Sequence, residues 1–273
     1  MSKKKKIILL IIIGLFFVLL FTNPSKYGTI LRLKGGGPVR IDKLISECGV
    51  ASRREAAAAA KKGLLLVDGV TVKDVSKHID PDKSTVTFMG RELIYRRYTY
   101  VMLNKPEGYV SATEDSSLPV VTELLSDELR RMELFPVGRL DRDTVGLMIL
   151  TNNGSHAHSL LSPKHHVEKI YRFKCKVPMA QGAEELFAKS VTLADGYECK
   201  SATLVCDPDR LGGYITLTEG KYHQIKRMVA ATDNRVTYLE RVSFGGIRLD
   251  PALERGQWRL LTDEELALLE LQK

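Results

Sequence analysis

The sequence predicts an α+β protein in two parts, and three observations carry that reading. A chain of 273 residues and 30.5 kDa exceeds one domain of ordinary size, about 100–150 residues. Hydrophobic residues make up 44% of it and charged residues 27%, with 10 prolines, which supplies a sizeable core and excludes wholesale disorder or a fibrous repeat. The apolar period changes along the chain, from short helices and a hairpin over residues 39–96 to mixed helix and strand patterns over 97–273.

The chain opens with Lys3 to Lys6 and then an unbroken apolar run from Ile7 to Phe21, the form of a signal peptide or signal anchor. As a helix this run spans about 22 Å, short of the roughly 30 Å hydrocarbon core, and no small-residue cleavage site follows. Lys26, Arg32, Lys34 and Arg40 lie beyond it, so the positive-inside rule does not choose an orientation. Residues 1–38 are expected to be an N-terminal extension, either a membrane anchor or a segment outside the working protein, joined through Gly35–Gly36–Gly37–Pro38.

The formal charge is +8, but most of it lies outside the predicted fold. Residues 39–273 hold 34 basic against 33 acidic groups, a balance that offers little long-range steering. Nucleic-acid binding must therefore rest on local clusters and motifs. Cys48, Cys175, Cys199 and Cys206 form no C-x-x-C pair and read as reduced thiols suited to the cytosol. The histidine pairs His156 with His158 and His165 with His166 have no matching ligand set, so no metal is expected.

In order along the chain, Ile41, Leu44, Ile45 and Cys48 recur at helical spacing up to Gly49. Ser52-Arg53-Arg54-Glu55 is a capping box that starts a second helix, carried by Ala56 to Ala60 and closed by Lys61, Lys62 and Gly63. Leu64 to Val67 and Val70 to Val72 then read as a hairpin around Asp68-Gly69. Arg53, Arg54, Lys61 and Lys62 gather on the second helix, a pattern that is either a solvated face or an RNA contact. Beyond residue 97, strands are expected at Tyr98 to Leu103, Leu134 to Val137, Gly146 to Leu150, Lys169 to Val177, Ala202 to Cys206 and Tyr214 to Thr218. Helices are expected at Val121 to Leu129, Ala183 to Ala188 and His223 to Ala231, with a last one capped at Thr262.

Three segments carry candidate chemistry. In Gly138 to Gly154, GRLDRDTVGLMILTNNG, Asp141 lies between arginines and ahead of an apolar strand, as an ionised carboxylate held by a cation or as a plain turn aspartate in a surface ion pair. In Glu219 to Met228, EGKYHQIKRM, cations crowd a helix start, where the dipole disfavours them, which points to an acidic partner or a solvated basic face. In VEKIYRFKCKV, Lys169, Tyr171 and Phe173 share one face of a strand, where core packing is the ordinary explanation of an aromatic.

The run RIDKLISECGVASRREAAAAAKKGLLLVDGVTV resembles the alpha-L RNA-binding domain, the type found in ribosomal protein S-four. Behind it NKPEGYVSAT, GRLDRDTVGL, SPKHHVEKIYRF and EGKYHQIKRM occur in an order that resembles the pseudouridine synthases of the RsuA type. The forms SPKHH and YHQIKRM are more similar to the small-subunit ribosomal RNA enzyme than to its large-subunit relatives. The resemblance implies a fold of a small alpha-L RNA-binding domain over 39–96 followed by a mixed, largely antiparallel β-sheet catalytic domain with flanking helices over 97–273.

It also implies an activity, the isomerisation of one uridine of ribosomal RNA to pseudouridine, and roles for particular residues. Asp141 would be the catalytic carboxylate, attacking the ribose anomeric carbon or the uracil ring. Tyr171 would stack on the target base and take part in proton removal, and Lys226 would ion-pair with Asp141. Arg139 would fill the gap left by the flipped uridine, a step the chemistry requires because the glycosidic bond is inaccessible in a helix. Arg53, Arg54, Lys61, Lys62, Lys105, Lys169, His223, Gln224 and Arg227 complete the candidate RNA-binding set. No cofactor is implied. The implied partner is ribosomal RNA, small-subunit RNA within an assembly intermediate, bound by a cytoplasmic monomer, with a membrane role only if residues 1–38 anchor the chain. The alternatives are a large-subunit RNA enzyme and a non-catalytic RNA-binding assembly protein.

Overall fold

The computed structural model describes residues 37–272. The expectation of an anchor at Ile7 to Phe21 lies outside the described residues, among which no helix is long and apolar enough to cross a membrane. The first elements are β1 (Val39–Arg40), α1 (Ile41–Glu47), α2 (Arg53–Lys61), β2 (Leu65–Val67), β3 (Val70–Thr71), β4 (His78–Ile79), β5 (Val86–Phe88) and β6 (Arg91–Leu93). The capping box forms as the sequence predicts: Glu55 N donates to Ser52 Oγ at 3.3 Å and Ser52 N donates to the Glu55 carboxylate at 2.7 Å. At the hairpin both Asp68 (φ 51°) and Gly69 (φ 78°) are left-handed, the conformation that matches strand twist in a two-residue turn. Ile41, Leu44 and Ile45 of α1 pack with Ala56, Ala60, Leu65 and Val86 in one small core. The sheet extends past the predicted hairpin to four strands in the order β3-β2-β5-β6.

The larger part follows with β7 (Tyr100–Lys105), a 3-10 turn at Val121–Leu124, α3 (Asp127–Arg131), β8 (Phe135–Pro136), β9 (Val145–Thr151), α4 (Gly154–Leu161) and β10 (Lys169–Cys175). Then come α5 (Ala183–Lys189), β11 (Thr203–Cys206), β12 (Gly212–Leu217), α6 (Gln224–Ala230), β13 (Val236–Phe244), β14 (Ile247–Arg248), β15 (Trp258–Leu260) and α7 (Asp263–Glu270). The main sheet runs β11-β12-β10-β13-β9-β7-β15, with β14 on β13 and β8 on β9. Its pairings are antiparallel except for β13 with β9. The mixed, largely antiparallel sheet is therefore as expected.

β9 is buried at every residue because the sheet is covered on both faces here. Alternation sends Leu147 and Ile149 into one core with Tyr100 and Met102, and Met148 and Leu150 into another with Val101 and Leu103. The parallel junction is brief, Val145 with Glu240 and Gly146 with Arg241. Gly146 (φ 99°) makes it possible, since a Cβ there would stand 2.4 Å from the Arg241 carbonyl oxygen. The two parts of the chain also meet closely, because a Cβ on Gly49 would lie 2.2 Å from the Glu128 carbonyl oxygen, and Arg91 pairs with Glu128 at 2.6 Å.

Several expectations are corrected. The single helix expected over Val121 to Leu129 is split, because Leu125 is extended and the Ser126 hydroxyl caps a new helix by accepting from Leu129 N. The strand expected at Tyr98 starts at Tyr100, and the one expected to reach Val177 ends at Cys175. β13, the nine-residue strand that joins the sheet halves, was not predicted, because Glu240, Arg241 and Ser243 interrupt its apolar pattern. α4 was also missed; the Asn153 side chain caps it by accepting from His156 N.

Candidate active site

The turn from Gly138 to Thr144 leads into β9 and carries Asp141. It is tied down from several directions. Leu140 is buried in the core, and its N–H and C=O both bond Ser111 Oγ, at 2.9 and 2.8 Å. Thr144 N donates to the Asp141 carbonyl at 3.1 Å. Beneath the turn lies Lys105 at the end of β7, fully buried, whose ammonium donates to the carbonyls of Thr144 (2.8 Å), Asp141 (3.1 Å), Pro106 (3.1 Å) and Arg142 (3.3 Å). Burial pulls the Lys105 pKa down to about 8, against the opposing pull of Asp143 and Asp141. The expectation that Lys105 binds RNA is corrected: with no exposed surface, it holds the backbone that presents Asp141.

Lys226, on α6, reaches across to this turn. Its ammonium lies 2.9 Å from Asp141 Oδ2 and 2.5 Å from Asp143 Oδ1. Burial alone would lower the Lys226 pKa, but hydrogen bonds and charge from Asp143 and Asp141 outweigh it and raise the pKa. Asp143 shows the mirror image, with burial opposed and overcome by Lys226 so that its pKa falls. The Asp141–Lys226 pair is the one the sequence predicted; Asp143, two residues along the same motif, was not singled out. His223 Nε2 lies 3.5 Å from the other oxygen, Asp141 Oδ1.

Tyr171 on β10 forms another wall. It pairs with Arg241 on β13 at a register shift between Ile170 and Tyr171. Arg241 is 2% exposed, donates from Nε to the Leu147 carbonyl at 2.7 Å and lies 5.2 Å from the centre of the Phe244 ring. Burial pulls its pKa down, and the facing Tyr171 phenol pulls it up. Its sequence signal is a lone arginine in an otherwise strand-like run, a pattern that is also met on exposed strands. Arg139, Asp141, Thr144, Tyr171, Leu217 and His223 are among the walls of one open cleft. Thr144 is another residue the sequence reading passed over; its buried hydroxyl has no hydrogen-bond partner.

The remaining candidates divide. Arg139 is exposed at the cleft, and Arg53, Arg54, Lys61 and Lys62 are exposed on and just beyond α2. Gln224 lines the same cleft but is 4% exposed, and its amide accepts from Lys221 N at 2.8 Å and donates to Glu219. Lys169 is half-buried, donates to the Val167 carbonyl at 2.7 Å, and burial pulls its pKa down to about 8. Arg227 is paired with Asp195 at 2.5 Å. The crowding of cations near α6 thus has partners within the fold, as Lys221 also lies over the Tyr197 ring at 4.8 Å.

Comparison with known proteins adds the family. Residues 99–231 match the model of the RNA pseudouridylate synthase family, and residues 39–83 match the S4 domain. The chain is 46% identical over 234 residues to an RNA pseudouridine synthase of Bacillus subtilis (strain 168), covering 85% of this chain and 98% of that protein. It is 39% identical over 232 residues to ribosomal small subunit pseudouridine synthase A of Escherichia coli (strain K12), covering 84% and 99%. A solved pseudouridylate synthase superposes with a TM-score of 0.60 at 34% identity, over 85% of this chain and 99% of that one. With a carboxylate, its lysine and an aromatic wall gathered at one cleft behind an S4 domain, the chain belongs to the RNA pseudouridylate synthase family.

Proposed function

We propose that the protein isomerises one uridine of small-subunit ribosomal RNA to pseudouridine, with Asp141 as nucleophile. The observation that carries this reading is the Asp141 carboxylate, bonded to Lys226 at 2.9 Å, in a cleft with Tyr171 as a wall. A flipped uridine enters the cleft while Arg139 occupies the space it leaves. Asp141 attacks the anomeric carbon or the uracil ring, and the C1′–N1 bond breaks. The uracil turns, C1′ bonds to C5, the C5 proton departs with Tyr171 taking part, and N1 regains a proton. No atom is gained or lost, and a carboxylate serves because it is both nucleophile and leaving group. Lys226 holds it in an ion pair at 2.9 Å and aims it.

In this reading residues 39–96 bind RNA through Arg53, Arg54, Lys61 and Lys62, and residues 97–273 perform the chemistry. The protein acts as a cytoplasmic monomer on an assembly intermediate. The small-subunit substrate is supported by the name of the Escherichia coli relative.

Pseudouridine mapping of both ribosomal RNAs tests this in cells with the gene, without it, and with Asp141→Asn. Loss of one small-subunit site in both altered strains is expected. Persistence of that site with Asp141→Asn would refute the nucleophile, and a lost large-subunit site would refute the substrate.

A further inference from the structure

We propose that Tyr222, backed by His223, is a stacking site for an RNA base adjacent to the target uridine. The proposal rests on the reading of the cleft as the uridine site and extends it to a second nucleotide.

Tyr222 is 68% exposed. A single exposed aromatic needs no explanation in itself, but this ring is part of a built arrangement. It lies on the His223 imidazole with centroids 3.8 Å apart and planes 18° from parallel. His223 in turn lines the cleft and stands 3.5 Å from the Asp141 carboxylate. The two rings therefore form a stack that starts beside the nucleophile and ends on an aromatic open to solvent. Their spacing is close to the step of about 3.4 Å between stacked bases, so a nucleobase on the open side of Tyr222 continues the same stack.

The platform is held before RNA arrives. Gln224 accepts from Lys221 N at 2.8 Å and donates to Glu219, whose carboxylate also accepts from Tyr197 Oη at 3.0 Å and Lys200 N at 2.9 Å. Arg227 donates to the Tyr222 carbonyl at 3.5 Å. A loop tied at both ends lowers the ordering cost of binding. Lys221, exposed and next to Tyr222 in the chain, adds positive charge of the kind that tracks a phosphate backbone. A base is the fitting occupant because flipping the target uridine removes a stacking partner from its neighbours, and an aromatic face replaces that partner whichever base is present.

Tritium release from RNA labelled at uridine C5, which the reaction must expel, measures turnover for the wild type, Tyr222→Ala, Tyr222→Phe and Tyr222→Trp. Tyr222→Ala is expected to raise the half-saturating RNA concentration about 5- to 150-fold, whereas the Phe and Trp variants stay near the wild type. Removing the base at one neighbour of the target should weaken the wild type similarly and leave Tyr222→Ala no weaker than before. Unchanged half-saturation with Tyr222→Ala, a Phe variant as weak as Ala, or additive losses with every base-free RNA would overturn the stacking site. The exposed position spares the core, and equal melting temperatures check this. Wild-type enzyme that turns over no ribosomal RNA contradicts the reading of the cleft itself, and the stacking site with it. Wild-type turnover with no Tyr222→Ala effect contradicts the stacking site alone.

Discussion

The floor of the cleft and its rim use the same residue types in opposite ways. Below the cleft Lys105 and Arg241 are buried, Lys105 donating to the backbone carbonyls of the turn and Arg241 to the Leu147 carbonyl and the Met148 sulfur of β9. Around the rim and on α2, Arg139, Lys221, Arg53, Arg54, Lys61 and Lys62 face water. A buried cation costs several kcal/mol of lost hydration, and persists only where it fixes something else. An exposed one costs little and remains available to phosphate. The comparison teaches that burial separates the basic residues that fix the backbone around Asp141 from those open to a ligand, which under the proposed function is RNA.

Asp141→Asn tests the floor most severely. Turnover should fall on the order of 10⁴-fold or more, while RNA binding measured by filter retention persists. Lys226→Gln leaves Asp141 without its cation and should cost about 10²–10³-fold in rate, read as tritium release at saturating RNA.

Lys105→Met removes the donor shared by the carbonyls of Asp141, Arg142 and Thr144. The Asp141 and Arg142 carbonyls keep their bonds from Thr144 N and Gly108 N, so the loss falls on the buried Thr144 carbonyl, and denaturant unfolding should show a loss of about 1–3 kcal/mol. On α2, replacing Arg53, Arg54, Lys61 and Lys62 with Ala should leave the rate at saturation intact. It should reduce the slope of log affinity against log salt by up to about 3, measured by titration at several salt concentrations.

The smallest effect concerns pH. Lys169 keeps its proton to the ordinary 10.5 when unfolded but releases it at about 8 when folded. Below pH 8 the fold bears the cost of a buried charge, and that cost disappears as pH rises through 8 towards 10.5. The wild type should therefore gain stability over Lys169→Met across this window, by about 1–2 kcal/mol once its remaining exposure to water is allowed for. Unfolding curves for both proteins at pH 7.5 and 10.5 check the sign.

Legibility in the sequence followed the same division. The capping boxes at Ser52 and Thr262 and the Asp68-Gly69 turn were readable because each is a local device whose residues satisfy one another. β9 was readable because every residue is buried, so its apolar run is continuous. β13 was hidden because it is a working strand: Arg241 faces Tyr171 from it and Glu240 pairs with Arg255 at 2.8 Å. At the site, the pairing of Asp141 with Lys226 followed from motif resemblance. The second carboxylate, Asp143, and the burial of Lys105 and Gln224 depend on how strands from distant parts of the chain converge, which no spacing records.

The division between floor and rim is tested most directly by single-turnover kinetics on the wild type, Lys105→Met and Tyr222→Ala across RNA concentrations. The account predicts that Lys105→Met loses rate at saturating RNA with half-saturation unchanged, and that Tyr222→Ala does the reverse. A Lys105→Met defect confined to half-saturation would contradict it, because the buried lysine would then be serving the RNA rather than the nucleophile.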